Sequence, residues 1–313
     1  MGFFLYAVIA AAIIFVLLFA LGYGCFLYSF TRRKSERPYS TAPINTAKYK
    51  EHEEKVKRAI SEYDQTEKQT FSITSRDGLK LYASYIPTKE PTDKLIIAFH
   101  GYRSSARADF SPIFKKLLNN GYSLLLVDQR CHSRSDGKYI GFGVLERLDV
   151  CDWASFAADR FGADTKIYIY GVSMGAASVT MSSALTLPKN VRGIIADCGF
   201  SAPYAIVKHV LRNHKKIPPY PTAYFINIWT NLLAGYDLKK ASSIKAIKQS
   251  SLPLLLIHGA EDRYVPTEMS RIVYNARPKN TRLVIVEGAR HARSHLVNET
   301  LYLEEIVKFI ENN

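Results

Sequence analysis

An α/β architecture, a mostly parallel sheet with helices on both faces, is the fold class this sequence predicts. Three observations carry it. Short β-branched and apolar runs of buried-strand length recur through residues 70–313. Longer helix-like segments alternate with them, the pattern of a parallel sheet. A glycine-flanked serine, Gly171-Val172-Ser173-Met174-Gly175, stands where one strand run gives way to a helical run.

The elements follow in order. Met1 to Thr31 carries no charged side chain, and Phe3 to Phe30 is almost wholly apolar. About 20 such residues suffice to cross a bilayer. Residues 1–31 are therefore expected to be a transmembrane anchor, a single pass at the cell membrane. A cleavable signal peptide would show a basic start, a shorter apolar core and a small-x-small site. Arg32, Arg33, Lys34 and Arg37 all follow the span, which predicts that the domain after it lies in the cytoplasm. The apolar residues form a continuous run and not a stripe, so the helix is expected to face lipid and not the domain core.

Residues 32–69 read as a linker, broken by Pro38 and Pro43, followed by a charged helix over Ala47–Ser61. Residues 70–74 and 79–86 alternate apolar and polar across Asp77-Gly78, a hairpin signal. Strands are expected at 95–99, 123–127, 167–170, 191–196, 253–257 and 283–286. Helices are expected at 110–120, 145–161 and 301–310, with another directly after Ser173. Residues 203–248 interrupt the alternation. They carry Pro218, Pro219, Pro221 and the aromatics Tyr220, Tyr224, Phe225 and Trp229, and are expected to form a small lid over the strand ends.

Composition narrows the partners. The chain has 313 residues and a formal net charge of +14, from 42 Lys+Arg against 28 Asp+Glu. The basic residues are scattered and no nucleic-acid motif accompanies them, so an anionic membrane surface is expected and nucleic acid is not. With 47% hydrophobic residues the chain is not disordered. Four cysteines, Cys25, Cys131, Cys151 and Cys198, form no C-x-x-C pair and no zinc spacing with histidine. No metal and no organic cofactor is expected.

A serine on a strand-to-helix turn has its Oγ lifted above the sheet, and the new helix points free N–H groups back at it. Such a nucleophile needs a base, and the base an orienting acid. Asp262 lies just past the strand run 253–257, and His291 just past 283–286. The order Ser173, Asp262, His291 points to acyl transfer. Asp197 is the rival acid and His295 the rival base; His132 and His258 read as structural. His100-Gly101-Tyr102 follows the strand run 95–99, and the Tyr102 and Met174 backbone N–H groups are the expected oxyanion donors.

At these residues the chain resembles the α/β-hydrolase superfamily, in particular membrane-anchored bacterial hydrolases of the serine-esterase and serine-aminopeptidase-like group. The resemblance covers residues 70–311 and rests on His100-Gly101-Tyr102, Asp128-Gln129-Arg130, Gly171–Gly175, Asp197–Ser201, His258–Asp262 with Val265-Pro266, and Gly288–Ala292. It departs once. Where the family has Asp-x-Arg-Gly-His-Gly-x-Ser, Cys131 and Ser133 replace two glycines. The resemblance implies a serine hydrolase acting on a small-molecule acyl substrate, carboxylic esters foremost, and the expected anchor and aromatic lid point to a lipid-like one. An aminopeptidase, amidase or thioesterase is the alternative within enzymes. A non-catalytic membrane-tethered interaction domain is the alternative outside them.

Overall fold

Alternating side chains decide how this chain folds. The computed structural model describes residues 2–32 and 50–313. Its elements run α1 (Gly2–Phe30), α2 (Lys50–Gln65), β1 (Gln69–Thr74), β2 (Lys80–Ile86), β3 (Lys94–Phe99), α3 (Ala106–Phe110), α4 (Phe114–Asn119), β4 (Ser123–Asp128), α5 (Glu146–Phe161), β5 (Lys166–Val172), α6 (Met174–Ser182) and β6 (Val191–Asp197). Then come α7 (Pro203–Val210), a π-helical turn (Leu211–Lys215), α8 (Pro219–Ala234), α9 (Ser243–Gln249), β7 (Leu254–Gly259), α10 (Glu268–Ala276), β8 (Thr281–Val286), α11 (Ser294–Val297) and α12 (Glu299–Glu311).

The eight strands form one sheet in the order β1-β2-β4-β3-β5-β6-β7-β8. β1–β2 and β2–β4 pair antiparallel, and every later pair is parallel. Successive side chains of a strand point to opposite faces, and here both faces are buried. Ile96, Leu124, Tyr168 and Leu255 pack beneath α3, α4 and α12 through Phe110, Phe114 and Tyr302. Leu95, Leu125, Ile169 and Leu256 pack beneath α5, α6, α9 and α10 through Trp153, Val179, Ile247 and Val273. Strands buried on both sides read as unbroken apolar runs, which is why they were legible. β4 and β5 flank β3 on opposite sides, so the chain reverses direction there. The crevice beyond the carboxyl ends of β3 and β5 is the place where such sheets bind ligands.

Three expectations need correction. The helix expected over 110–120 is two helices, α3 and α4, separated by Ser111-Pro112-Ile113. Pro112 has no N–H to continue the first helix, and the backbone leaves helical geometry at Ile113 (φ −121°, ψ −14°). The expected insertion 203–248 divides: α7, the π turn and α8 form a cap whose apolar cluster is shared with α1 and α6, whereas Ile247 of α9 joins the sheet-face core.

The third correction concerns α1. It was expected to keep clear of the domain core, yet its carboxyl half is packed. Phe26 is 0% exposed and Phe30 1% exposed, against Ile140, Val144, Ile226 and Tyr236. The apolar run hides this because packing residues and lipid-facing residues look alike when both are apolar. From Phe3 to Phe30, α1 is also a candidate transmembrane segment by length and composition. Arg33, Lys34, Arg37, Pro38 and Pro43 lie outside the described residues, as does the start of the charged helix expected from Ala47.

Candidate active site

The site is assembled at the carboxyl ends of β3, β5, β7 and β8. Ser173 follows β5 and adopts φ 55°, ψ −112°, a left-handed backbone for a non-glycine residue. The glycines beside it are steric necessities. A Cβ on Gly171 would fall 2.3 Å from the Gly175 carbonyl carbon, and one on Gly175 only 2.0 Å from the Phe99 carbonyl oxygen. The turn is thereby pressed against β3, and α6 starts directly at Met174 with its amino end behind the serine.

His291 Nε2 lies 2.9 Å from Ser173 Oγ, and His291 Nδ1 lies 2.7 Å from Asp262 Oδ2. An acceptor carboxylate on Nδ1 requires the proton there. Nε2 is then free of a proton and accepts from the serine hydroxyl. Asp262 is buried and its carboxylate is saturated. Oδ1 accepts from the Tyr264 and Val265 backbone N–H groups, each at 2.9 Å. Burial alone would raise the Asp262 carboxyl, but the imidazoles facing it, His291 foremost, hold it well below the usual carboxylate range.

His258 supplies the fourth contact to Asp262 and is more than a loop histidine. Its Nε2 lies 2.9 Å from the Val265 carbonyl and 3.1 Å from Asp262 Oδ2, while Nδ1 lies 2.7 Å from Ser270 Oγ. A carbonyl only accepts, so Nε2 carries the proton and Nδ1 accepts from Ser270. Its position, four residues before Asp262 at a strand end, was the available signal. The sequence reading also missed Asp109. Its Oδ2 accepts from the Gly101 N–H at 2.7 Å and its Oδ1 from the Ser104 hydroxyl at 2.6 Å. It pins the turn that carries Tyr102. A Cβ on Gly101 would lie 3.3 Å from Ser173 Cβ, so this turn runs alongside the serine.

Neither rival is part of the hydrogen-bonded chain from Ser173. Asp197 accepts from the Tyr302 hydroxyl at 2.8 Å, and Tyr302 in turn bonds Tyr170. Burial pushes the Asp197 carboxyl up to about 6. His295 is buried on α11, and its Nε2 has no partner among the described residues. Ligand-type atoms of Cys198, Asp262 and His291 lie within 4.8 Å of one another. Asp262 and His291 are already bonded to each other, and burial raises the Cys198 thiol well above its ordinary value. A neutral thiol is a poor metal ligand.

The cap closes over this end of the sheet. Ile206, Val207, Ala223 and Ile226 pack with Met174 and Ala177 of α6 and with Val265. The Tyr264 ring lies 5.1 Å from His291 and 5.2 Å from His214 of the π turn. At the other side, the Tyr102 hydroxyl donates to the Ser29 carbonyl of α1 at 2.7 Å.

The loop after β4 answers the one departure in sequence. Cys131 (φ 65°) and Ser133 (φ 45°) keep left-handed backbones without glycine. Arg130 holds the loop by a two-pronged pair with buried Asp149, at 2.6 Å on each side, and reaches Asp77 of the β1–β2 turn.

Residues 90–233 match the family model described as serine aminopeptidase, S33. YqkD of Bacillus subtilis, an uncharacterized protein, is 25% identical over 250 residues, covering 80% of this chain and 81% of that one. The chain is likewise 24% identical to the uncharacterized YfhR of Escherichia coli K12 over 252 residues, 77% of this chain and 80% of that one. Among solved structures, the Pyrococcus furiosus esterase Pf2001 superposes with a TM-score of 0.64 at 26% identity, covering 82% of this chain and 94% of that one. Est1E of Butyrivibrio proteoclasticus, solved with ferulic acid bound, superposes with a TM-score of 0.60 at 21% identity, covering 77% and 98%. By its sheet order and these likenesses, the chain has the α/β-hydrolase fold, and its residues 90–233 resemble the serine aminopeptidase, S33 family.

Proposed function

We propose that this protein is a serine hydrolase that cleaves carboxylic esters through an acyl-enzyme, tethered to the membrane by α1 with its catalytic domain on the cytoplasmic side. One observation carries the chemistry: the hydrogen-bonded chain from Ser173 through His291 to Asp262. As Ser173 Oγ attacks the ester carbonyl, His291 Nε2 takes its proton. Asp262 holds the tautomer and stabilises the imidazolium. The Tyr102 and Met174 backbone N–H groups receive the oxyanion. His291 then returns the proton to the leaving alcohol, and water repeats the sequence to free the acid. His258 and Asp109 are positioning residues, one for Asp262 and one for the Gly101–Tyr102 turn.

Aminopeptidase activity is the second reading, favoured by the description of the matching family model. It requires a carboxylate to hold the substrate ammonium. Residues 203–236 hold Lys208, Arg212, Lys215 and Lys216 but no Asp or Glu. That supports the ester reading, with neutral or anionic substrates. The test is turnover of p-nitrophenyl esters of rising chain length beside aminoacyl p-nitroanilides, using the full chain in detergent. Ester turnover that vanishes in Ser173→Ala is the expected result. Preference for the anilides would install the aminopeptidase reading instead, and inertness toward both would leave a non-catalytic domain.

A further inference from the structure

α8 is a second apolar helix that the anchor carries with it. We propose that its outward face rests in the bilayer beside α1, which makes the cap a membrane-embedded element. The proposal rests on the reading of α1 as a membrane span.

Depth comes from counting. A hydrocarbon core of about 30 Å takes about 20 helical residues. Any window of about that length placed within Phe3–Phe30 contains Phe15, Phe19 and Gly22. α8 touches all three of these residues. The Phe225 ring lies 5.5 Å from Phe15 and 6.0 Å from Phe19. A Cβ on Gly22 would stand 2.5 Å from Phe225 Cβ, so the two helices meet at a small residue. Trp229 packs on Phe19 at 4.4 Å, and its Nε1–H donates to the Phe19 carbonyl at 3.1 Å. With α1 across the bilayer, Phe225 sits at hydrocarbon depth.

The composition of α8 suits that depth. Pro219–Ala234 contains no charged residue. Its inward face, with Thr222, Ala223, Phe225, Ile226, Asn227 and Thr230, is buried. Pro221, Tyr224, Ile228 and Leu232 recur at spacings of three and four on the opposite face. Tyr224 is 52% exposed and Leu232 is 65% exposed. Around this patch the cations stand by aromatic rings. Lys208 Nζ donates to the Tyr220 hydroxyl at 2.9 Å, Lys239 Nζ lies 5.6 Å from the Tyr224 ring, and Lys215 Nζ lies 4.6 Å from the Tyr28 ring. An apolar stripe rimmed by tyrosine and lysine matches hydrocarbon bordered by anionic headgroups. The Tyr102–Ser29 contact then sets the Ser173 site beside the membrane surface, where acyl lipids present their esters.

The test uses the full chain with Cys25→Ser, in which the other three cysteines are buried. An environment-sensitive NBD probe is attached at Leu232→Cys, at Tyr224→Cys, at Val8→Cys in α1, or at Lys279→Cys before β8. Each protein is reconstituted in phosphatidylcholine/phosphatidylglycerol vesicles with and without acyl-chain nitroxide lipid. The Val8, Leu232 and Tyr224 probes should be quenched more than 2-fold and the Lys279 probe hardly at all. Quenching at Val8 with the α8 probes behaving like Lys279 would overturn the embedding of α8 and leave the anchor standing. The α8 probes shielded but unquenched would show a protein partner there instead. No quenching at Val8 would overturn the anchor reading and the inference with it.

Discussion

At the residue scale, the histidines beside Asp262 are set by hydrogen bonds with one permitted tautomer each. His132 makes the same point away from the nucleophile. Its Nδ1 lies 2.8 Å from the Arg130 carbonyl, so that nitrogen carries the proton, and Nε2 accepts from the Arg103 backbone N–H at 3.0 Å. Burial pushes its pKa down to about 3. The unfolded chain binds that proton near pH 6.5, the native protein only near 3. Between those values the unfolded state holds more protons, so stability is full above about pH 6.5 and falls as pH drops. His132→Gln should flatten the slope of unfolding free energy against pH in this window, by up to about 1.4 kcal/mol per pH unit. Denaturant titrations at pH 4, 5, 6 and 7 would measure it; an unchanged slope would contradict the assignment. Asp262 and His291 were legible because each stands a few residues past an apolar strand. Asp109 was not, because its role is a contact to Gly101 across a loop and leaves no periodic trace. His258 was visible as a residue, but its bond to Asp262 depends on a turn that sequence does not display.

Elements are held by steric limits and by buried charge. Gly175→Ala should cost roughly 3 kcal/mol or more, because its Cβ has only backbone to meet. Gly121→Ala supplies the comparison. It sits at φ 83° with open space around it, so only the backbone strain of about 1 kcal/mol applies. Equal melting temperatures for the two variants would refute the steric argument. The Arg130–Asp149 pair fastens the loop after β4 to α5. Asp149→Ala leaves a buried guanidinium partly unpaired and should destabilise by about 3–5 kcal/mol, read by chemical denaturation. That fastening also explains how the loop keeps left-handed residues without glycine. The strands were readable because the buried stretches of β3 to β7 are mostly apolar. The α3–α4 break was missed because the apolar periodicity was followed across Pro112. The cap's inner boundary was missed because α9 packs on the sheet, a fact of tertiary placement.

For the whole molecule, α1 is the decisive element. The sequence alone suggests a helix that could be cut away at residue 31. The structure ties it in through Phe26 and Phe30, through the Ile140 N–H donating to the Phe30 carbonyl at 2.7 Å, and through the Arg32 N–H donating to the Lys138 carbonyl at 2.9 Å. Removing a buried phenylalanine costs about 3–5 kcal/mol, and deletion of residues 1–31 removes two. The shortened protein should aggregate or melt well below the full chain, whereas deletion of residues 2–12 should leave the melting temperature in detergent within a few degrees. A soluble, cooperatively folding 32–313 fragment would contradict this. Side-chain chemistry cannot separate lipid-facing from domain-facing phenylalanines, so this coupling was beyond the sequence.

The central claim is that Ser173, activated by His291 and Asp262, carries the acyl group. Its most direct test is peptide mass spectrometry after labelling the full chain with a fluorophosphonate. The expected result is a single adduct on the peptide containing Ser173, absent in Ser173→Ala and reduced by several orders of magnitude in rate in His291→Ala, with His295→Ala labelling normally. An adduct on another residue, or labelling that survives in Ser173→Ala, would contradict it.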